Sequence, residues 1–199
     1  MNIREYRKSD FDSLHSVMCD AFSSDSLYSY FIEDEEERKK FVQQFMKFRL
    51  KFGIKKGKVF VTDDCKSLLI LIMPNQEMKP GDLLTLGGMA AMMHCSKEQR
   101  NRIVSFNALA DKQKEKMISQ PYWHISPICV ETSVQGNGYG SALMNYAVKY
   151  MNNEYPCYLE TQSSRNIHFY GKFGFQETEK ICVPDSELIS YSMILNKKK

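Results

Sequence analysis

The sequence predicts an α/β fold in which a central mixed β-sheet is flanked by helices and enlarged by helical insertions. Three observations support this. After Pro121, extended apolar runs and helical periodicities alternate as strand, helix, strand, helix, the order that a crossover between parallel strands produces. A glycine-rich stretch, Gln135 to Ser141, stands between the end of one such strand and the start of the next helix. The N-terminus shows the same strand-helix order, and 199 residues at 43% hydrophobic and 26% charged composition can bury a real core, which excludes general disorder.

Taken in order, Ile3 to Tyr6 alternates as a short strand, and Ser9-Asp10-Phe11-Asp12 reads as a cap leading into a helix through Leu14, Val17, Met18 and Phe22. An acidic run, Glu33 to Glu37, precedes Phe41, Phe45, Phe48 and Phe52, whose steps of four, three and four put all the rings on one helical face. Acid at the start of that helix and Lys51, Lys55 and Lys56 near its end suit the macrodipole, and the aromatic stripe reads as core packing. Lys58 to Thr62 and Ser67 to Met73 form a hairpin about Asp63-Asp64, its second strand apolar on both faces. Pro80-Gly81-Asp82 opens a Leu- and Met-rich stretch reaching Cys95, and Lys97 to Ile118 is another helix, so two or three helices precede the next strand. Met89, Met92 and Met93 read as gap-filling core and His94 as a polar residue at a helix edge. Trp123 to Val130 is a strand interrupted by Pro127, Tyr139 to Tyr150 a helix, Cys157 to Thr161 a strand and Asn166 to Phe173 a short helix. Two strands follow at 175–183 and 187–195. Ligands are expected at the carboxyl ends of the parallel pair.

Several function classes are set aside by composition. The longest apolar run, Leu68 to Met73, ends at Pro74, far short of the ~20 residues of a membrane span. The N-terminal residues have no apolar signal core, so a cytoplasmic address without membrane partners is expected. A net charge of +3 carries no nucleic-acid argument, and the Lys197 to Lys199 tail reads as a solubilising end. Cys19, Cys65, Cys95, Cys129, Cys157 and Cys182 include no Cys-x-x-Cys pair; reduced thiols are expected, with no metal and no disulfide framework.

The loop Gln135-Gly136-Asn137-Gly138-Tyr139-Gly140-Ser141 is the most informative stretch. Glycines there permit unusual backbone dihedrals and close approach of N–H groups, and the following helix N-terminus favours a pyrophosphate. The dinucleotide fingerprint G-x-G-x-x-G fails, because the sixth place is Ser141 counting from Gly136 and Leu143 counting from Gly138. The P-loop fails as well, since the loop has no lysine. The pattern that fits is Q-x-x-G-x-G, as Gln135, Gly138 and Gly140.

That segment, with the preceding Ile128-Cys129-Val130-Glu131-Thr132-Ser133-Val134, resembles the acetyl-coenzyme A site of the GNAT superfamily of N-acetyltransferases. A second block, Tyr158-Leu159-Glu160-Thr161 followed by Asn166 and Phe169-Tyr170-Gly171-Lys172-Phe173-Gly174-Phe175, is similar to the family's later N-x-x-F-Y-x-x-x-G-F motif. Together the blocks span about 121–177, and within the family they look most like the branch of puromycin-type acetyltransferases. The resemblance implies a GNAT-like fold over one domain, residues 1–199, with a coenzyme-binding core at about 121–177 and helical acceptor-side segments at about 23–56 and 80–120. It implies acetyl-CoA as cosubstrate, no metal, a small-molecule amine acceptor and a homodimer as the candidate assembly. A protein N-terminus or lysine as acceptor, and a non-catalytic acyl-CoA-binding module, are the alternatives.

By the same resemblance, the backbone of Cys129 and Val130, with Ile128 beside them, pairs with the pantetheine arm, and an N–H near Val130 faces the thioester oxygen. The amides of Gly136, Asn137, Gly138, Tyr139, Gly140 and Ser141, with Gln135 at their head, hold the pyrophosphate, and Asn166 contacts the coenzyme arm. Tyr170 is the expected general acid, because a phenol with a reference pKa of ~10 is protonated at neutral pH and can donate to a leaving thiolate. Its rival reading is a core tyrosine, and that of Asn166 is a helix cap. An alkylamine must lose a proton before attack, and Glu160, then Glu131, both near the cleft-forming strand ends, are the candidate bases. His124, early in its strand, reads as a satisfied core or rim histidine. Cys129 as a covalent nucleophile is the less favoured route, since direct attack needs no acyl-enzyme.

Overall fold

The computed structural model describes residues 1–197; Lys198 and Lys199 of the basic tail lie outside the described residues. The chain runs β1 (Ile3–Glu5), α1 (Phe11–Ala21), α2 (Ser26–Phe31), α3 (Glu35–Lys56), β2 (Gly57–Thr62), β3 (Ser67–Ile72), α4 (Pro80–Thr85), α5 (Gly88–Met93), α6 (Lys97–Met117), β4 (Trp123–Val130), α7 (Tyr139–Met151), β5 (Cys157–Thr161), α8 (Ser164–Gly171), β6 (Gln176–Cys182) and β7 (Ile189–Leu195). The strands form one mixed sheet in the order β1-β2-β3-β4-β5-β7-β6. All pairs are antiparallel except β4 with β5.

Period-two alternation explains how the sheet is covered. In β3 every residue is buried: Leu68, Ile70 and Ile72 face one side with Val59 and Val61 of β2, while Leu69 and Leu71 face the other with Phe60. The first side is covered by α1, α2, α3, α5 and α6, and the second by α7 through Leu143, Met144, Ala147 and Met151. The α3 stripe packs as expected, with Phe41, Phe48 and Phe52 buried and Phe41 stacked on Phe45 at 5.3 Å between centroids. Asp34 caps α3 by accepting from the Glu37 N–H at 2.8 Å.

Four local expectations change. Met89 and Met93 are exposed on α5 rather than filling the core. Asp10 does not cap α1; its carboxylate turns back to accept from the Arg7 N–H and to pair with Arg4, both at 2.7 Å, closing a short 3-10 turn at Lys8–Asp10. The short helix begins at Ser164, two residues earlier than its apolar pattern, so Asn166 sits inside the first turn of α8 rather than capping it. Pro127 does not break its strand. Leu69 pairs with Ile128 and Leu71 with Ile125, so Ser126 and Pro127 together oppose Ile70 as a bulge, which a residue lacking an N–H tolerates.

Candidate active site

The bulge opens the sheet. β4 and β5 pair only at Trp123 with Cys157 and His124 with Tyr158, and beyond that point they separate. The bulge also changes the phase of β4: Ser126 reaches the α3 side, where it meets Arg49, whereas Ile128 and Val130 lie on the α7 side. The Glu131 N–H donates to the Lys66 carbonyl at 2.9 Å, so by alternation the Cys129 backbone also faces β3, leaving those of Ile128 and Val130 on the open side. Of the three residues expected at the opening, Ile128 and Val130 face it and Cys129 does not. Its buried thiol is pushed up to about 12 by desolvation, partly opposed by the Arg49 charge, and is no thiolate at neutral pH.

The glycine loop continues from that edge. Gly136 and Gly138 have φ of +82° and +85°, and Gly138 precedes α7 in the left-handed conformation. Among the described residues the N–H groups of Gly136, Gly138, Tyr139, Gly140 and Ser141 donate to no protein acceptor, while that of Asn137 donates to the Val134 carbonyl at 3.4 Å. Side chains fix the loop from outside: the Gln135 amide donates to the Val130 carbonyl at 3.2 Å and the Tyr139 hydroxyl to Asp64 at 2.7 Å. A Cβ on Gly140 would lie 3.3 Å from the Phe169 ring and 3.8 Å from Val130, so glycine lets the first turn of α7 close against α8 and β4.

Tyr170 sits on α8 next to this opening, 6% exposed, among Phe169 and Phe175. Burial raises its phenol well above the usual value, with Cys129 adding to the shift, and its hydroxyl has no protein hydrogen-bond partner among the described residues. Asn166, one turn earlier, donates to the Thr161 hydroxyl at 3.0 Å and ties α8 to the end of β5.

On the opposite face of the gap, toward α3 and α6, His124 and Ser126 of β4 share a surface with Tyr158 and Glu160 of β5. The Tyr158 hydroxyl donates to Glu160 at 2.5 Å and lies 3.1 Å from the Ser192 hydroxyl. His124 is 5.4 Å from the Tyr158 ring and is pushed down to about 3 by burial, with the Lys114 and Arg49 charges adding to the shift. It is a neutral ring on the face toward α3 and α6, a placement its early position in the strand does not suggest. Glu131 instead accepts from the Ser133 hydroxyl beside the glycine loop. Arg49, Tyr28 and Ser126 form a further cluster that the sequence reading passed over, although a cation four residues after Phe45 on the ring-bearing face of α3 is a legible signal. A surface hollow of about 610 Å³ lies at the far end of α7, lined by Val148, Asn152, Phe173 and Leu195, away from all of these groups.

The site is a parallel strand pair forced apart beside a cradle of free amides. Residues 73–175, just over half of the chain, match the model of the acetyltransferase (GNAT) family, and the protein belongs to that family. Solved structures share the fold. The histone acetyltransferase HPA2 and related acetyltransferase from Corynebacterium glutamicum superposes with a TM-score of 0.72 at 18% identity, covering 100% of this chain and 97% of its own. The putative arylalkylamine N-acetyltransferase 7 of the yellow fever mosquito gives 0.66 at 13%, covering 98% and 87%. The ribosomal-protein-S18-alanine N-acetyltransferase of Escherichia coli gives 0.53 at 12%, covering 100% and 94%.

Members of this family use acetyl-CoA, and the residues present fit it: strand backbone that β5 leaves open at Ile128 and at the Val130 N–H for an amide-bearing arm, and five unclaimed N–H groups at a helix N-terminus for a pyrophosphate. Among the described residues no group of three His, Cys, Asp or Glu side chains is arranged to hold a metal ion, and no helix is long and apolar enough to cross a membrane.

Proposed function

We propose that this acetyltransferase acetylates the amine of a small molecule by direct attack within a ternary complex, in a cytoplasmic setting that its six free cysteines suit. Bound acetyl-CoA supplies the acetyl thioester. The backbone of Ile128 and Val130 aligns its arm, and the amides from Gly136 to Ser141 hold its pyrophosphate, with Gln135 and Asn166 bracing the two ends of the opening. The observation that carries the reading is Tyr170, a protonated, unpartnered hydroxyl beside the opened strand.

Tyr170, kept protonated by burial, donates a proton toward the departing sulfur and is restored by the second proton that the attacking nitrogen loses as the tetrahedral adduct collapses. Glu160 receives the proton that the acceptor ammonium must lose; Tyr158 holds one of its oxygens and the other is left for the substrate. Glu160 is preferred to Glu131 because it shares the acceptor-side face, while Glu131 is taken up by Ser133. A small acceptor is supported by the cover that α2, α3 and α6 place over that face. The test is thiol release from acetyl-CoA across amines and peptides. Turnover of small amines is expected; release with peptides alone would transfer the reading to protein acceptors, and binding without release would reduce it to a coenzyme-binding module.

A further inference from the structure

Arg49 reaches from α3 to the face that carries Ser126 and Glu160. Its Nη1 donates to the Tyr28 hydroxyl oxygen at 3.3 Å, its Nη2 to the Ser126 hydroxyl oxygen at 2.5 Å, and the guanidinium lies 5.8 Å from the Phe45 ring centroid. A guanidinium has donors only, so both hydroxyls are accepting from it and must aim their own hydrogens elsewhere. Among the described residues neither hydroxyl donates to any acceptor, and no carboxylate pairs with Arg49. Asp25, whose charge Arg49 feels, spends its carboxylate oxygen on the N–H groups of Leu27 and Tyr28 at 3.0 and 3.2 Å, capping α2. Tyr28 is 4% exposed, so its free donor is a buried one. Hydroxyl and guanidinium donors converging without an acceptor make a receptor for an anion, and the planar guanidinium suits a carboxylate.

Carrying the His124–Tyr158 register forward sets Ser126 opposite Glu160 across the gap. One rim of the gap thus offers donors to an anion and the other a carboxylate, separated by no less than the ~4.8 Å between paired strands. We infer that the acceptor is a zwitterion, a free amino acid or a close analogue, whose carboxylate is held by Arg49, Tyr28 and Ser126 while its ammonium meets Glu160. This rests on the proposed acetyl transfer to small amines and adds the class of amine.

Matched pairs test it: phenylalanine against phenethylamine and leucine against isoamylamine, each with acetyl-CoA, read as the ratio of kcat/KM within a pair. The wild type should favour the carboxylated member by roughly 10- to 100-fold, the scale of a lost charge-assisted hydrogen-bond set. Arg49→Gln should bring the ratio close to one, and Tyr28→Phe and Ser126→Ala should each lower it by several fold, chiefly through KM of the amino acid. If Arg49→Gln does not fold, the two hydroxyl variants carry the test alone. A wild-type ratio at or below one overturns the inference, as does a fall in both members of a pair that leaves the ratio standing, which a purely structural contact would give. Absence of thiol release with every amine overturns the acetyl-transfer reading instead.

Discussion

Tyr170 is buried and His124 half-buried beside the β4/β5 gap, and desolvation pushes them in opposite directions with different consequences. Removing the Tyr170 hydroxyl deletes a proton donor without reshaping the site, so Tyr170→Phe should lower kcat by about 100-fold and leave acetyl-CoA affinity nearly as it was, measured by steady-state kinetics and calorimetric titration. Loss of affinity with kcat retained would make it a binding residue. His124 is neutral in the fold down to about pH 3, whereas an unfolded histidine titrates near ~6.5. The unfolded chain therefore takes up the extra proton, and the stability that neutral His124 supports is complete above about pH 6.5 and is lost as pH falls from there toward 3. His124→Gln should flatten the drop in Tm between pH 7 and 4.5; an unaltered drop would assign the acid sensitivity to other groups. At this scale the glycines and Tyr170 were legible because each stands within a contiguous motif, but Arg49 and Ser126 are 77 residues apart and meet only through tertiary packing.

Among the elements, the bulge in β4 and the first turn of α7 act together. The bulge parts the strands, and the left-handed Gly138 turns the following amides outward. A side chain at φ of +85° is strained by ~1 kcal/mol or more, so Gly138→Ala should raise KM for acetyl-CoA by about tenfold or more while turnover at saturation changes little. Equal losses in both would mean that the loop shapes the reacting centre itself. Gly53 makes the converse point about α3. Alanine in a helix interior normally gains up to ~1 kcal/mol over glycine, yet a Cβ here would run into the Ile70 side chain on β3. Gly53→Ala should therefore destabilise by about 1–3 kcal/mol in denaturant unfolding, and stabilisation would show that α3 and β3 are less tightly packed than described. Element identity followed from periodicity, but the Pro127 bulge did not. Its letters mark an interruption, and only pairing against β3 turns that interruption into two residues opposite one.

The molecule as a whole divides its work across the sheet. In the proposed reading, one face and the end of β4 serve the coenzyme with α7 and α8, while α2, α3 and α6 cover the side given to the acceptor. The half proposed for the coenzyme was readable because it is built from backbone, which leaves a glycine signature; the half proposed for the acceptor is built from single side chains on separate elements and leaves none. Because both halves meet at the gap, acetyl-CoA should raise Tm, by the equivalent of ~2.7 kcal/mol at a hundredfold excess over Kd, and an unchanged Tm would argue against the cradle. The most direct test of direct transfer in a ternary complex is the initial-rate pattern of thiol release when acetyl-CoA and a small amine are varied together. Intersecting double-reciprocal lines, lost in amplitude by about 100-fold in Tyr170→Phe, are the expected result. Parallel lines would reveal a covalent acetyl-enzyme and contradict it.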